Sequence, residues 1–231
     1  MKKREKKILA LLAALLCVGA AGTGSTLAFF TDSESFTNEL YFAGEDGLDA
    51  VLEEPSWEEE KGLLVLPGET IPKDPQITNT SELDMDCLAA IRVEFVYGKD
   101  CPDRAKIGQA LSDADMAYVH DVYRIDWNAD ISGDWARFDG ESERNQTQRF
   151  YYKAVLKRNL PEKGDTTVPL FTRLEIPKEV NNKRYSHIQD MGGFDIRISG
   201  TVIQQMNGES IHGLDSAKDA YQAGLFTFSG K

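Results

Sequence analysis

Histidine, cysteine and proline are scarce in this chain, and positive charge is in deficit. There are three histidines, three cysteines and eight prolines in 231 residues. His120, His187 and His212 are too far apart for the H-x-x-x-H spacing that sets two imidazoles on one helical face. The helical zinc-protease motif is therefore missing, and each histidine reads as a surface residue rather than a ligand. No G-x-S-x-G elbow and no G-x-x-x-x-G-K-[ST] loop is present, which removes the usual serine-hydrolase nucleophile and phosphate cradle. Lys and Arg number 26 against 38 Asp and Glu, a net charge of −12. Such a chain repels nucleic acid and anionic membrane surfaces and suits a solvated extracellular setting. Past residue 30 there is no apolar run of membrane length.

The one long apolar run is at the start. Met1–Lys7 is basic, Ile8–Val18 is apolar, and small residues lead to Leu27-Ala28. These are the three parts of a secretory signal peptide, with cleavage expected near Ala28, so that Phe29 or Phe30 becomes the new N-terminus. Residues 29–231 then form the working domain. A membrane span needs about 20 residues, so Ile8–Val18 is short for one. Counted through to Phe30 the segment just suffices, and an uncleaved anchor is the competing reading. Cys17 follows Leu16 inside the apolar run and reads as filler. Without the leader two cysteines remain, Cys87 and Cys101. An even count in an exported chain suggests one disulfide, worth about 3 kcal/mol for so short a loop. Two free thiols are the alternative.

After the leader the pattern is mostly period two. Residues 36–42 alternate and are rich in aromatics. Residues 48–52, 63–66 and 76–80 are short strand candidates between acidic and proline-bearing loops. From Cys87 to Tyr97 the alternation is clearest. Ile91, Val93, Phe95 and Tyr97 point one way and Arg92 and Glu94 the other, as in a sheet with one buried and one wet face. A short surface helix is expected over 106–116, and 119–127 has strand composition. Residues 134–138 and 150–156 flank Asp139-Gly140, a hairpin signal. Further strands are expected over 170–176 and 193–203, separated by a polar link over 178–190, with a bulge at Gly200. Asp215 and Gly224 bracket a helix. The fold class is thus all-β, an antiparallel β-sandwich with one or two short surface helices.

Few residues are arranged for chemistry. Asp126, Asn128, Asp130 and Asp134 alternate in one loop and offer oxygen ligands that suit calcium. The glycine falls two places late for an EF-hand and no closing Glu follows, so an ordinary polar loop is the competing reading. Trp57, Trp127, Trp135, Phe150, Tyr151 and Tyr152 could form a sugar platform, but are more simply core and cross-strand pairs. No cofactor is expected.

The junction Leu27–Ser35, following Gly22–Thr26, resembles the leaders cut by SipW-type signal peptidases. Leu66–Thr80, Ala90–Val93, Tyr151–Leu156 with Pro169–Phe171, and Phe194–Ile198 followed by Gln204 are similar to segments of one Gram-positive group. These are the alternate signal-mediated exported proteins, which include TasA-like and camelysin-like (CalY) members. The resemblance implies a jelly-roll-like sandwich, export to the cell surface or matrix, and a SipW-type peptidase as a partner. It also implies self-assembly, in which the freed N-terminal segment adds as a strand to the next subunit. Phe30, Phe36, Leu40 and Phe42 would be its apolar side chains. Membrane attachment would be confined to the leader before cleavage. A camelysin-like metalloprotease and a carbohydrate- or host-binding adhesin are the alternatives to a non-enzymatic structural protein.

Overall fold

The computed structural model describes residues 39–43, 48–57, 67–81, 84–127, 133–158, 164–179, 182–206, 209–210 and 216–228. Within these the chain runs β1 (Glu39–Ala43), β2 (Ala50–Glu53), β3 (Thr70–Pro72), β4 (Gln76–Asn79), β5 (Asp86–Tyr97) and α1 (Asp113–Val122). Next come β6 (Arg124–Ile125), β7 (Trp135–Arg137), β8 (Thr147–Tyr152) and β9 (Arg173–Glu175). Then follow α2 (Asn182–Asp190), β10 (Phe194–Met206), β11 (Glu209–Ser210) and α3 (Ala217–Gln222). The leader, its junction Ala28–Phe29, Phe30, Phe36 and the expected strand over 63–66 lie outside the described residues.

The fold is mostly β. One sheet has the order β1-β10-β5-β8-β7, with β11 added to β10. Two smaller sheets are β2-β4 and β3-β9-β6. Among these described strands every pairing is antiparallel except one: β1 runs parallel to β10.

The β5–β10 ladder is the frame. It runs without interruption from Phe194 opposite Tyr97 to Gln205 opposite Asp86. Gly200 sits in register opposite Ile91, so the expected bulge is not formed. Alternation then decides the faces. Ile91, Val93 and Phe95 of β5 join Phe194, Ile196 and Ile198 of β10 and Phe150 of β8 in one buried cluster. Residues from the small sheets complete it, among them Leu52, Ile71, Ile77 and Leu174. Each such side chain contributes about 1.5–3 kcal/mol by leaving water.

The opposite face is not wet along its whole length. Leu88, Ala90, Tyr151 and Ile203 are buried there under Ala217 and Ala220 of α3 and the tail residues Phe226 and Phe228. Only further along does the face turn polar. There Arg92 pairs with Glu94 at 3.3 Å and lies over the Phe228 ring.

Two helices replace what the sequence pattern suggests. α1 covers 113–122, so it begins late in the expected helix and takes over much of the expected strand 119–127. Ser112 caps it by accepting from Asp115 N, and Asp113 and Asp115 load its first turn with negative charge. Its buried residues Met116, Val119 and Val122 recur at helical spacing. β-branched composition had concealed that period. α2 occupies most of the expected polar link. Ile188 is fully buried in it, too sparse an apolar signal to read alone. Gly192 follows at φ +79, where a Cβ would stand 2.2 Å from Asp100 O. Glycine is required there by both backbone and space. α3 is capped by Ser216, one residue beyond Asp215, and Gly224 at φ +71 follows its end.

The two cysteines do not form the expected disulfide. Cys87 is near the start of β5 and Cys101 lies beyond its far end. From Cys87 to Tyr97 the extended chain rises about 33 Å, whereas bridged Cα atoms stand roughly 4.4–6.8 Å apart. Both are buried free thiols. Burial, with the charge of Asp86, pushes the Cys87 thiol up to about 12, which leaves it unreactive.

Candidate functional site

The end of the main sheet is the first candidate. β1 pairs Glu39 with Ser199, Leu40 with Gly200, Tyr41 with Thr201, Phe42 with Val202 and Ala43 with Ile203. β5 occupies the other side of β10 over the same residues. β11 pairs with Gln205 and Met206 and therefore shares the outer side with β1. Of the expected donor residues, Leu40 and Phe42 thus lie within a strand at the sheet's end. Parallel pairs are slightly less stable per residue than antiparallel ones, and this one is short.

A cavity of about 110 Å³ is the second candidate. α1 supplies Met116, Val119 and His120 to its wall, and Tyr123, Ile125 and Trp127 follow in sequence. Phe95 of β5 and Gln148 of β8 close it from the sheet, with Arg124 and Glu143 at the polar side. Gln148 is fully buried; its Nε2 donates to Glu143 O at 3.2 Å and Asn145 O at 3.1 Å. Gln148 Oε1 has no hydrogen-bond partner. His120 Nε2 stands 3.7 Å from Glu143 Oε2. The lining contains no serine, threonine, cysteine or lysine nucleophile for His120 to activate. The cavity can hold a small apolar group, with the Gln148 amide and the Glu143 carboxylate as acceptors in its lining.

The Asp115 carboxylate gathers three side chains. Its Oδ2 accepts from Tyr97 Oη at 2.5 Å and Ser112 Oγ at 2.6 Å, and its Oδ1 lies 2.8 Å from His187 Nε2. Tyr118 stacks on the His187 ring at 3.9 Å. Ser, His and Asp are all present, but in the wrong order for catalysis. Serine and histidine both bond the carboxylate, so nothing draws the proton from Ser112 toward the imidazole. The group instead ties α1, α2 and the end of β5 together. Burial raises the Asp115 carboxyl, but hydrogen bonds from Ser112, Tyr97 and His187 outweigh it and hold the group below its ordinary value.

The remaining sequence candidates separate. Asp126 accepts from Thr172 N at 2.9 Å, Arg173 N at 2.8 Å and the Thr172 hydroxyl, with Arg173 Nε at 3.7 Å. A carboxylate so surrounded by donors is already engaged in holding the start of β9, which argues against its taking calcium. Asn128, Asp130 and His212 lie outside the described residues. Asp134 immediately precedes β7, and its backbone O accepts from Lys153 N. Among the described residues no three His, Cys, Asp or Glu side chains cluster as metal ligands. Trp135 and Phe150 are fully buried and Trp127, Tyr151 and Tyr152 nearly so, which places these aromatics in the core rather than on a sugar-binding surface.

Sequence reasoning missed the Asp115–His187 link and the part played by Gln148. The Ser112-x-x-Asp115 capping pattern was the one local signal available. Compared with family models, curated proteins and solved structures, the chain matches none.

Proposed function

We propose that this chain is an exported, non-enzymatic structural protein of the cell surface or extracellular matrix, which assembles by passing its N-terminal strand to a neighbouring copy. The observation that supports this most is the position of β1. It is the parallel strand at the end of an otherwise antiparallel sheet, and it pairs with β10 over five residues. The chain just before it carries the leader junction. On this reading a SipW-type peptidase removes residues 1–28 and residues 29–231 act as one domain. The large sheet and the two small ones, which share one apolar cluster, form a jelly-roll-like sandwich.

In the assembled state β1 leaves its own β10 and pairs with that of the next copy. Main-chain hydrogen bonds supply the affinity and alternate side chains fix the register. Electron microscopy of the purified mature protein, beside a form lacking residues 29–42, tests the proposal. Fibres are expected from the first and not from the second. Fibres that persist unchanged after the deletion reject strand donation. Casein cleavage abolished by a chelator would instead support the metalloprotease alternative.

A further inference from the structure

Among the described residues, the most deeply buried ion pair lies apart from both the sheet end and the cavity. Glu54 directly follows β2 and Lys73 directly follows β3. Their side chains are 4% and 1% exposed, and Lys73 Nζ stands 2.6 Å from Glu54 Oε2. The Trp57 ring covers the amine, its centre 4.6 Å from Nζ. The second carboxylate oxygen, Glu54 Oε1, is buried with no hydrogen-bond partner. Asp74, whose charge also acts on Lys73, is held by Ser56 through its N–H at 2.7 Å and its hydroxyl at 2.8 Å.

Taking an ammonium and a carboxylate out of water is costly, and attraction repays it only when the remaining lone pairs are also satisfied. Here one oxygen is left bare. Moving one proton from Lys73 to Glu54 removes both charges at once. Burial holds the Lys73 amine below the ordinary lysine range, opposed by its attraction to Glu54. A neutral lysine amine is a nucleophile, and a carboxylic acid within contact distance is an acyl donor. The pair is already positioned, so little entropy remains to be lost on reaction.

We propose that Lys73 and Glu54 condense into an intramolecular amide that joins the end of β2 to the end of β3. The Nζ lone pair forms a bond to Glu54 Cδ, and the carbonyl π pair moves onto its oxygen. Nζ then gives a proton to the hydroxyl, the oxyanion pair returns to re-form the carbonyl, the C–OH bond breaks and water leaves. Ammonium plus carboxylate become amide plus one water, with no oxidant, metal or further reactant. The product is uncharged and so cheaper to bury than the pair it replaces. It would link sheet β2-β4 covalently to sheet β3-β9-β6. The inference uses none of the residues of the strand-donation proposal and stands or falls separately.

Intact-mass measurement and peptide mapping of the purified, folded mature protein test it. The expected result is a chain lighter by one water, and a branched peptide in which Lys73 is joined to Glu54. Lys73→Arg keeps the cation but not the nucleophile, and Glu54→Ala removes the acyl donor; both are expected at full mass. A folded wild-type chain at full mass, with Glu54 and Lys73 recovered in separate linear peptides, overturns the proposal. So does loss of water traced to any other pair of residues. Because the wild-type protein alone decides, variants that fail to fold leave the test intact.

Discussion

Apart from the two-residue β11, β10 has two neighbours, and they differ in kind. On one side β5 pairs with it antiparallel from Phe194 to Gln205, and side chains from both strands fill the main cluster. On the other side β1 pairs in parallel over Glu39–Ala43. The first contact is long and tied into the packing of β8 and the small sheets; the second is a short end strand. A sheet can lose an end strand and keep its core, but it cannot lose its central ladder. The central ladder is therefore structural, and the end strand is the part that the proposed assembly exchanges.

The largest expected effect is on the central side. Phe194→Ala removes a fully buried ring that packs edge-on against Tyr123 at 4.8 Å. It should destabilise the fold by about 3–5 kcal/mol, read from the midpoint of chemical denaturation. A loss under about 1 kcal/mol would show that β10 is not the frame described here.

Acid should loosen the end of β5 next. The Asp115 carboxyl titrates lower when folded than when unfolded. Its contribution to stability is thus complete above the ordinary carboxylate value, near pH 4, and is lost as pH falls through the lower folded value. Denaturation midpoints at pH 5 and pH 3 should differ less in Asp115→Asn than in the unmodified protein. Equal differences would remove Asp115 from the account.

Ser216→Ala, which removes the cap of α3 on the far face, should cost about 1 kcal/mol. Thermal melting checks it. The smallest effect on the monomer is expected in β1. Tyr41→Pro interrupts the strand opposite Thr201 and should change monomer stability by less than about 1 kcal/mol, yet abolish fibres. Hydrogen exchange sharpens the same contrast. Amides of β1 should exchange far faster than those of β5. Equal protection on both sides of β10 would erase the distinction on which strand exchange depends.

Much of the fold is legible without coordinates because alternation is a local property. Ile91, Val93 and Phe95 announce their shared face, and Asp139-Gly140 announces the β7–β8 hairpin, whose turn takes Gly140 at φ +82. The sites are less legible because they join distant residues. Asp115 meets His187 across 72 positions, and Thr78 meets Thr166 across 88. No period or spacing encodes such encounters.

Local rules also mislead where two periods overlap. Val119 and Val122 suit a strand by composition, but the cap at Ser112 and the apolar cluster they enter select a helix. Cys87 and Cys101 look like a pair until the strand between them proves straight.

By itself, then, the sequence determined the β character, the strands that carry the core, the acidic surface and the leader-like start. Each follows from side-chain chemistry repeating over a few residues. Only the tertiary structure decided that β1 lies parallel at the end of the sheet, that the thiols stay apart, and that Lys73 is enclosed with Glu54. These depend on which distant segments share the space that the core leaves, and that is set by packing the whole chain at once.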